Sequence, residues 1–287
     1  MLAALPLPFF TQVKTVKDDV GQVFPLAEPP RRIVSLAPNI TEILFALGLG
    51  DQIVGVTRYC DYPAAALQKD KVGGLTDPNV ERIQSLKPDL VIAFRGNPWN
   101  VIQKLQSLRL RVFVLDIGND LGAVPKTIEK IGRVTQKESE AGALIRSLEQ
   151  RYQKVTAALA SVVVQPKVFL NLHGMNLATC GRPSYLNGLI ERAKGANIAG
   201  RAPKAWLDYS REQFIKDDPD IIVVLAASAE AFAKAREWFK TQAGFETVAA
   251  VRTGRIHFLD ENKASRFGPR LYDAFTELVR ILHPEIF

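Results

Sequence analysis

From Arg32 onward, short apolar blocks separated by amphipathic stretches set the rhythm of the chain. "RIVSL" (Arg32 to Leu36), "QIVGV" (Gln52 to Val56), "DLVIAF" (Asp89 to Phe94) and "RVFVLD" (Arg111 to Asp116) are near-continuous apolar runs. Such runs suit strands covered on both faces, as in a parallel sheet. "PNITEILFALGLG" and "NPWNVIQKLQSL" between them carry helical spacing. Asn39 is expected at the N-cap of the first of these helices, with Glu42 three residues later as in a capping box and Gly48 at its end. Strand and helix in alternation imply right-handed crossovers and a parallel sheet.

The middle of the chain has a different period. Between Gln136 and Val162 there is no proline and a single glycine, Gly142. Ala141, Leu144, Ile145, Leu148, Tyr152, Val155, Leu159 and Val162 form one apolar stripe at helical spacing. A helix of about 26 residues would span roughly 39 Å, and Pro166 closes it. Alternation then resumes with "KVFLNL", "SYLNGLIERA", "DIIVVL", "AEAFAKAREWFKTQ", "RIHFL" and a C-terminal helix from about Pro269 to Leu282. The expected fold is α/β, with two Rossmann-like lobes bridged by one long helix and a ligand cleft between the lobes. The expected boundaries are an N-terminal lobe at 1–135, the bridge at 136–162 and a C-terminal lobe at 163–287.

One device occurs twice. "NVERIQSLKPDLVIAF" begins at Asn79 and "SREQFIKDDPDIIVVL" at Ser210, and at one constant offset Asn79 matches Ser210, Glu81 matches Glu212, Pro88 matches Pro219 and Asp89 matches Asp220. Asn and Ser are good N-caps, because a short side-chain oxygen accepts from a free backbone N–H. Each glutamate falls in the first turn, where the helix dipole favours a negative charge by a few tenths of a kcal/mol. The helix stops before the proline, whose preceding residue avoids the α region, and a buried strand follows. One such glutamate alone reads as a dipole-stabilising residue. The matched pair also reads as two symmetric contact points on two similar lobes.

Composition narrows the function classes. Hydrophobic residues make up 47% and charged residues 23% of the 287, the ordinary balance of a globular protein. The net charge of +7 is scattered, without the basic run or aromatic–basic alternation of a nucleic-acid binder, so it points only weakly to an anionic ligand or partner. No apolar stretch approaches the ~20 residues that cross a bilayer. "MLAALPLPFF" reads as the tail of a signal segment or simply as the start of the chain. Cys60 and Cys180 allow one disulfide or two free thiols, and free thiols are the expectation.

The fragments "RRIVSLAPNITEILFALGLGDQIVGVTRYCDYP", "VERIQSLKPDLVIAFRGNP" and "YSREQFIKDDPDIIVVL" together resemble the substrate-binding proteins of ABC importers with a single-helix hinge. That family carries cobalamin, haem or ferric siderophores, and the resemblance covers about Val20 to the C-terminus. "RYCDYP", "FRGNP", "WLDYSREQ" and "ASRFGPR" look most like the cobalamin receptors. The resemblance implies one ligand held between lobes, no catalysis, an extracytoplasmic location and a monomer. It also implies that Glu81 and Glu212 dock on arginines of a permease dimer. Such charge pairs steer and register an interface more than they add affinity.

Ligands of open α/β sheets bind beyond the carboxyl ends of the strands, which selects the segments after the apolar runs. These are Tyr59 after "QIVGV", Phe94, Arg95, Gly96 and Asn97 around "RGNP", and His173 and Met175 in "HGMN". The resemblance adds Trp206, Asn262 and Arg266 to Tyr59 and Phe94 as ligand contacts, and Asn39 joins the ligand-binding set. A corrin is a broad apolar disc rimmed by amides, so aromatic faces and Asn or Arg side chains suit it. Tyr59 and Phe94 also fit as core aromatics and Arg266 as a surface ion pair. Leu75 stands where the cobalamin pattern has a large aromatic. His173 is the candidate metal ligand, to cobalt or iron, against the commoner hydrogen-bonded structural histidine. Tyr59 is a second candidate, to haem iron.

An α/β enzyme is the rival from another class. The chain contains no G-x-G-x-x-G, no G-x-x-x-x-G-K-[ST] and no G-x-S-x-G. His173, His257 and His283 are its only histidines and lie far apart in sequence, against a three-histidine zinc or manganese site.

Overall fold

The structure is a computed structural model that describes residues 14–286, and the "MLAALPLPFF" segment lies outside the described residues. The chain divides into two compact units. The first runs through Asp116 and also takes Thr127–Gly142; the second takes Ile117–Lys126 and everything from Ala143.

The first unit opens with an antiparallel hairpin of β1 (Thr15–Lys17) and β2 (Val23–Pro25). Then follow β3 (Ile33–Ser35), α1 (Pro38–Ala46), β4 (Ile53–Val56), β5 (Asp70–Lys71), α2 (Val80–Ser85), β6 (Leu90–Phe94), α3 (Trp99–Ser107) and β7 (Val112–Leu115). The strands form a five-stranded parallel sheet in the order β5-β4-β3-β6-β7. Every residue of β3 and β7 is buried, as continuous apolar runs require. Helix α1 begins one residue before the expected cap: Ala37 occupies the N-cap and Pro38 the first turn. A proline there has its φ already set for a helix and lacks an N–H that would go unpaired. Asn39 and Glu42 are instead buried inside the helix.

The stretch expected to be one helix, 136–162, forms as such, and a further helix that was not expected stands before it. α4 (Ala123–Thr135) precedes α5 (Glu138–Ala158), which ends in a 3-10 turn at Leu159–Ser161. Gln136, at φ 57, breaks the path between α4 and α5. Close packing follows the break, since a Cβ at Gly132 would lie 2.5 Å from the Ala141 Cβ. The boundaries between the units fall after Asp116, within α4 and within α5, so the chain passes between units three times, beside the expected division into 1–135, 136–162 and 163–287.

The second unit contains β8 (Lys167–Leu172), β9 (Ala178–Cys180), α6 (Tyr185–Arg192), β10 (Ala196–Asn197), β11 (Trp206–Asp208) and α7 (Arg211–Asp217). It continues with β12 (Ile221–Ala226), α8 (Ala229–Thr241), α9 (Ala249–Arg252), β13 (Ile256–Asp260), α10 (Glu261–Ser265) and α11 (Leu271–Leu282). Four strands form a parallel sheet in the order β10-β8-β12-β13, and β9 pairs separately with β11, antiparallel.

The core cluster beneath α2 and α3 in the first unit is aliphatic, built on Val34, Leu36, Ile83, Leu105 and Val114. The matching cluster around α7 in the second unit centres on four rings, Phe169, Phe214, Phe239 and Phe245. Burying a side chain of this size contributes roughly 1.5–3 kcal/mol.

Candidate functional site

In each parallel sheet the strand order reverses beside the first central strand, between β3 and β6 in one unit and between β8 and β12 in the other. Beyond the carboxyl ends of strands at such a reversal, the loops diverge and leave room for a ligand.

In the first unit the segments beyond the strand ends are "TRYCDYP" after β4 and "RGNP" after β6. Asn97 is buried there and engaged by the backbone. Its amide donates to the Leu36 and Leu75 carbonyls at 3.2 and 3.0 Å, and its carbonyl accepts from the Phe94 N–H at 3.0 Å. It ties together the segments that hold Leu36, Leu75 and Phe94. Gly96 permits a close approach, since a Cβ there would lie 2.2 Å from the Phe94 ring. Arg95 bonds Asp116 at 3.1 Å and the Asp19 carbonyl at 2.6 Å. Tyr59 remains open, 50% exposed, with the Arg58 guanidinium 5.5 Å from its ring centre. Asn39 is 3% exposed, inside α1.

In the second unit a cavity of about 480 Å³ opens at the β8–β12 reversal. Leu172, His173, Tyr185, Trp206, Leu225 and Glu261 are among its lining residues. Trp206 is 51% exposed although it sits on β11, and it meets Tyr185 edge-on at 6.2 Å. Tyr185 in turn meets Phe267 at 4.8 Å. Burial holds the Tyr185 phenol well above its ordinary pKa, so it presents a neutral hydroxyl on an apolar ring. His173 is exposed, sits in the left-handed region at φ 63, and also borders a second cavity of about 220 Å³ with Met175 and Lys234. Asn262 on α10 accepts from Arg266, just past the end of that helix, at 2.7 Å, while their neighbours Glu261 and Ser265 line the cavity.

The repeated device forms as its sequence implies. Asn79 accepts from the Arg82 N–H at 2.8 Å, and Ser210 accepts from the Gln213 N–H at 3.1 Å. Glu81 and Glu212 stand exposed in the first turns of α2 and α7, and neither carboxylate has a partner among the described residues.

Residues 33–263 match the periplasmic binding protein family. The chain belongs to that family. It is 30% identical over 280 residues to the ABC transporter substrate-binding lipoprotein YvrC of Bacillus subtilis, covering 95% of this chain and 86% of that one. Among solved structures, the periplasmic haem-binding protein RhuT of Roseiflexus sp. RS-1 superposes with a TM-score of 0.78 at 26% identity, over 90% of this chain and 99% of that one. The periplasmic vitamin B12-binding protein BtuF of Vibrio cholerae superposes with a TM-score of 0.73 at 29% identity, over 89% and 98%.

In this periplasmic binding protein Tyr59 lies exposed on the loop after β4, whereas Trp206 lies exposed on the short strand β11. Reading the sequence missed Tyr185 and Phe267, which no apolar run immediately precedes; only the antiparallel β9–β11 pair brings Trp206 against Tyr185. Both thiols are free and buried, Cys60 in the loop after β4 and Cys180 on β9. The Cys60 sulfur lies 3.2 and 3.1 Å from the Thr41 and Thr57 hydroxyls, and burial pushes the Cys180 thiol up to about 12. His283 is buried against the Ala193 carbonyl at 2.9 Å. Among the described residues no three or more of His, Cys, Asp and Glu cluster as metal ligands, and no helix is long and apolar enough to cross a membrane.

Proposed function

We propose that this periplasmic binding protein is the substrate-binding component of an ABC importer that captures a corrinoid outside the cytoplasmic membrane and delivers it to a permease. The observation that carries the ligand class is the pair of aromatic rings, Trp206 and Tyr185, that line the second unit's cavity, with Phe267 packed against Tyr185. Rings of this kind pack on the face or edge of a flat apolar macrocycle. Tyr59 and Phe94 offer similar surfaces at the first unit's strand ends, and His173 supplies an imidazole for the central metal. Likeness to the vitamin B12-binding BtuF supports the choice. The unpaired Glu81 and Glu212 support docking on permease arginines.

A second reading, haem, is favoured by the likeness to RhuT and by the open phenol of Tyr59, a known type of haem-iron ligand. Titration with cyanocobalamin and with ferric haem, followed by calorimetry and absorption, separates the two. The expected outcome is saturable cobalamin binding that Trp206→Ala weakens at least about tenfold, the loss of one large stacking surface. Tight haem binding that Tyr59→Phe abolishes, with no heat from cobalamin, would replace the corrinoid by haem. In the same preparations Glu81→Ala with Glu212→Ala keeps ligand affinity and weakens association with the importer; the reverse pattern would remove the docking role.

A further inference from the structure

A groove of about 590 Å³ lies beside α7, lined among others by Lys167, Asn197, Ala199, Arg201, Gln213 and Asp217. It shares no lining residue with the aromatic cavity. The first unit shows what fills the corresponding place there. By the offset of the repeated device, Gln213 of α7 stands at the step of Arg82 of α2. In the first unit β5 extends the sheet beyond β4, and its Asp70 pairs with Arg82. The second sheet stops at β10, whose outer edge pairs with no further strand among the described residues. Gln213 meets no such carboxylate from a fifth strand and bonds Asp217 of its own helix at 2.7 Å. Arg201 is exposed on the groove and has no partner among the described residues.

We infer that this groove receives an extended acidic segment of the permease, laid beside β10 as a fifth strand with a carboxylate on Arg201. The inference rests on the docking reading above and extends it, since Glu212 is the residue next to Gln213 on α7. The internal template is β5 itself, a two-residue strand whose acidic side chain meets a cation of the neighbouring helix. Main-chain bonds to a free strand edge give such an interaction its affinity, and the side chain in the groove fixes its register. Arginine suits a carboxylate because its planar fork makes two parallel bonds. The mismatch between the units then has a purpose: one supplies its own fifth strand, and the other borrows it.

The test measures association of the full-length, ligand-loaded protein with its cognate permease–ATPase complex in lipid nanodiscs. Arg201→Glu should weaken association about tenfold. Gln213→Arg, which copies the first unit, should strengthen it about two- to fivefold. Ligand affinity in both should stay within about twofold of the parent, and both should melt like the parent. Unchanged association in Arg201→Glu while Glu212→Ala is weakened overturns the groove and leaves the docking reading standing. No change in Glu212→Ala either overturns both. Weaker association in Gln213→Arg overturns the acidic character of the segment. If Arg201→Glu instead abolishes self-association in sedimentation, the occupant is a second copy of this chain and the permease assignment falls.

Discussion

In the first unit α2 is anchored through Ile83, packed in a core of Val34, Leu36, Leu86 and Val91. In the second, α7 is anchored at the same step through Phe214, whose ring lies 4.9 Å from Phe169 and 4.8 Å from Phe245. The fillings differ, yet the polar joints around the two helices match closely. Asp89 accepts from the N–H groups of Arg31 and Arg32 at 2.7 and 3.1 Å, and Asp220 accepts from that of Lys167 at 2.7 Å. Arg32 donates to the Leu86 carbonyl at 2.7 Å, and Lys167 donates to the Asp217 carbonyl at 2.8 Å. Each cation thus caps the negative end of its helix. Lys87 and Asp218 both adopt φ 46 at the turn before the proline. Backbone donors and acceptors need partners in fixed directions. Apolar burial is non-directional and tolerates exchange at conserved volume. The joints therefore persist while the cores drift apart.

That comparison can be broken in order of effect. Phe214→Ala should cost about 3–5 kcal/mol, because it removes a whole ring from a packed cluster. Ile83→Ala should cost less, about 2–4 kcal/mol. Urea midpoints measure both, and a larger loss at Ile83 would show that the aromatic cluster collapses into its own void. Next come Asp89→Ala and Asp220→Ala, each leaving backbone N–H groups without their acceptor at a cost of about 1–3 kcal/mol. Asp89 should be the dearer, because it serves two N–H groups. Thermal melts in which the order inverts would show that the two joints are not equivalent. Smallest are Asn79→Ala and Ser210→Ala, about 1 kcal/mol each. Faster hydrogen exchange at the Arg82 and Gln213 amides should report them, and protection unchanged in both would mean that the caps are idle.

The parts legible in the sequence were those with a strict local cause. The repeated device was readable because cap, proline and buried run each act over a few residues. Strands β3, β4, β6, β7, β8, β12 and β13 announced themselves as apolar runs flanked by breakers. Helix α4 did not: Pro125 falls in its first turn and reads as a break, although proline is tolerated there. The pairing of β9 with β11 was equally hidden, since each is three residues long and joins segments more than twenty residues apart. At the site, the exposure of Tyr59 follows from its loop, whereas Trp206 is exposed on a strand, β11. The burial of Asn97 depends on where the Leu36 and Leu75 carbonyls lie in space, which no spacing rule reveals. Asn39 was misplaced because a proline start and an asparagine cap look alike one residue apart.

The sealed thiols have a practical consequence. Cys60 and Cys180 are 1% and 0% exposed. Buried thiols hold their protons and react slowly with maleimides or oxidants. A cysteine introduced at Trp99 in one unit and another at Phe258 in the other would take up dye ahead of both native ones, since each parent side chain is open to solvent. Distances between two such labels, read one molecule at a time as ligand is added, would report any opening and closing of the protein without first stripping out its own sulfur.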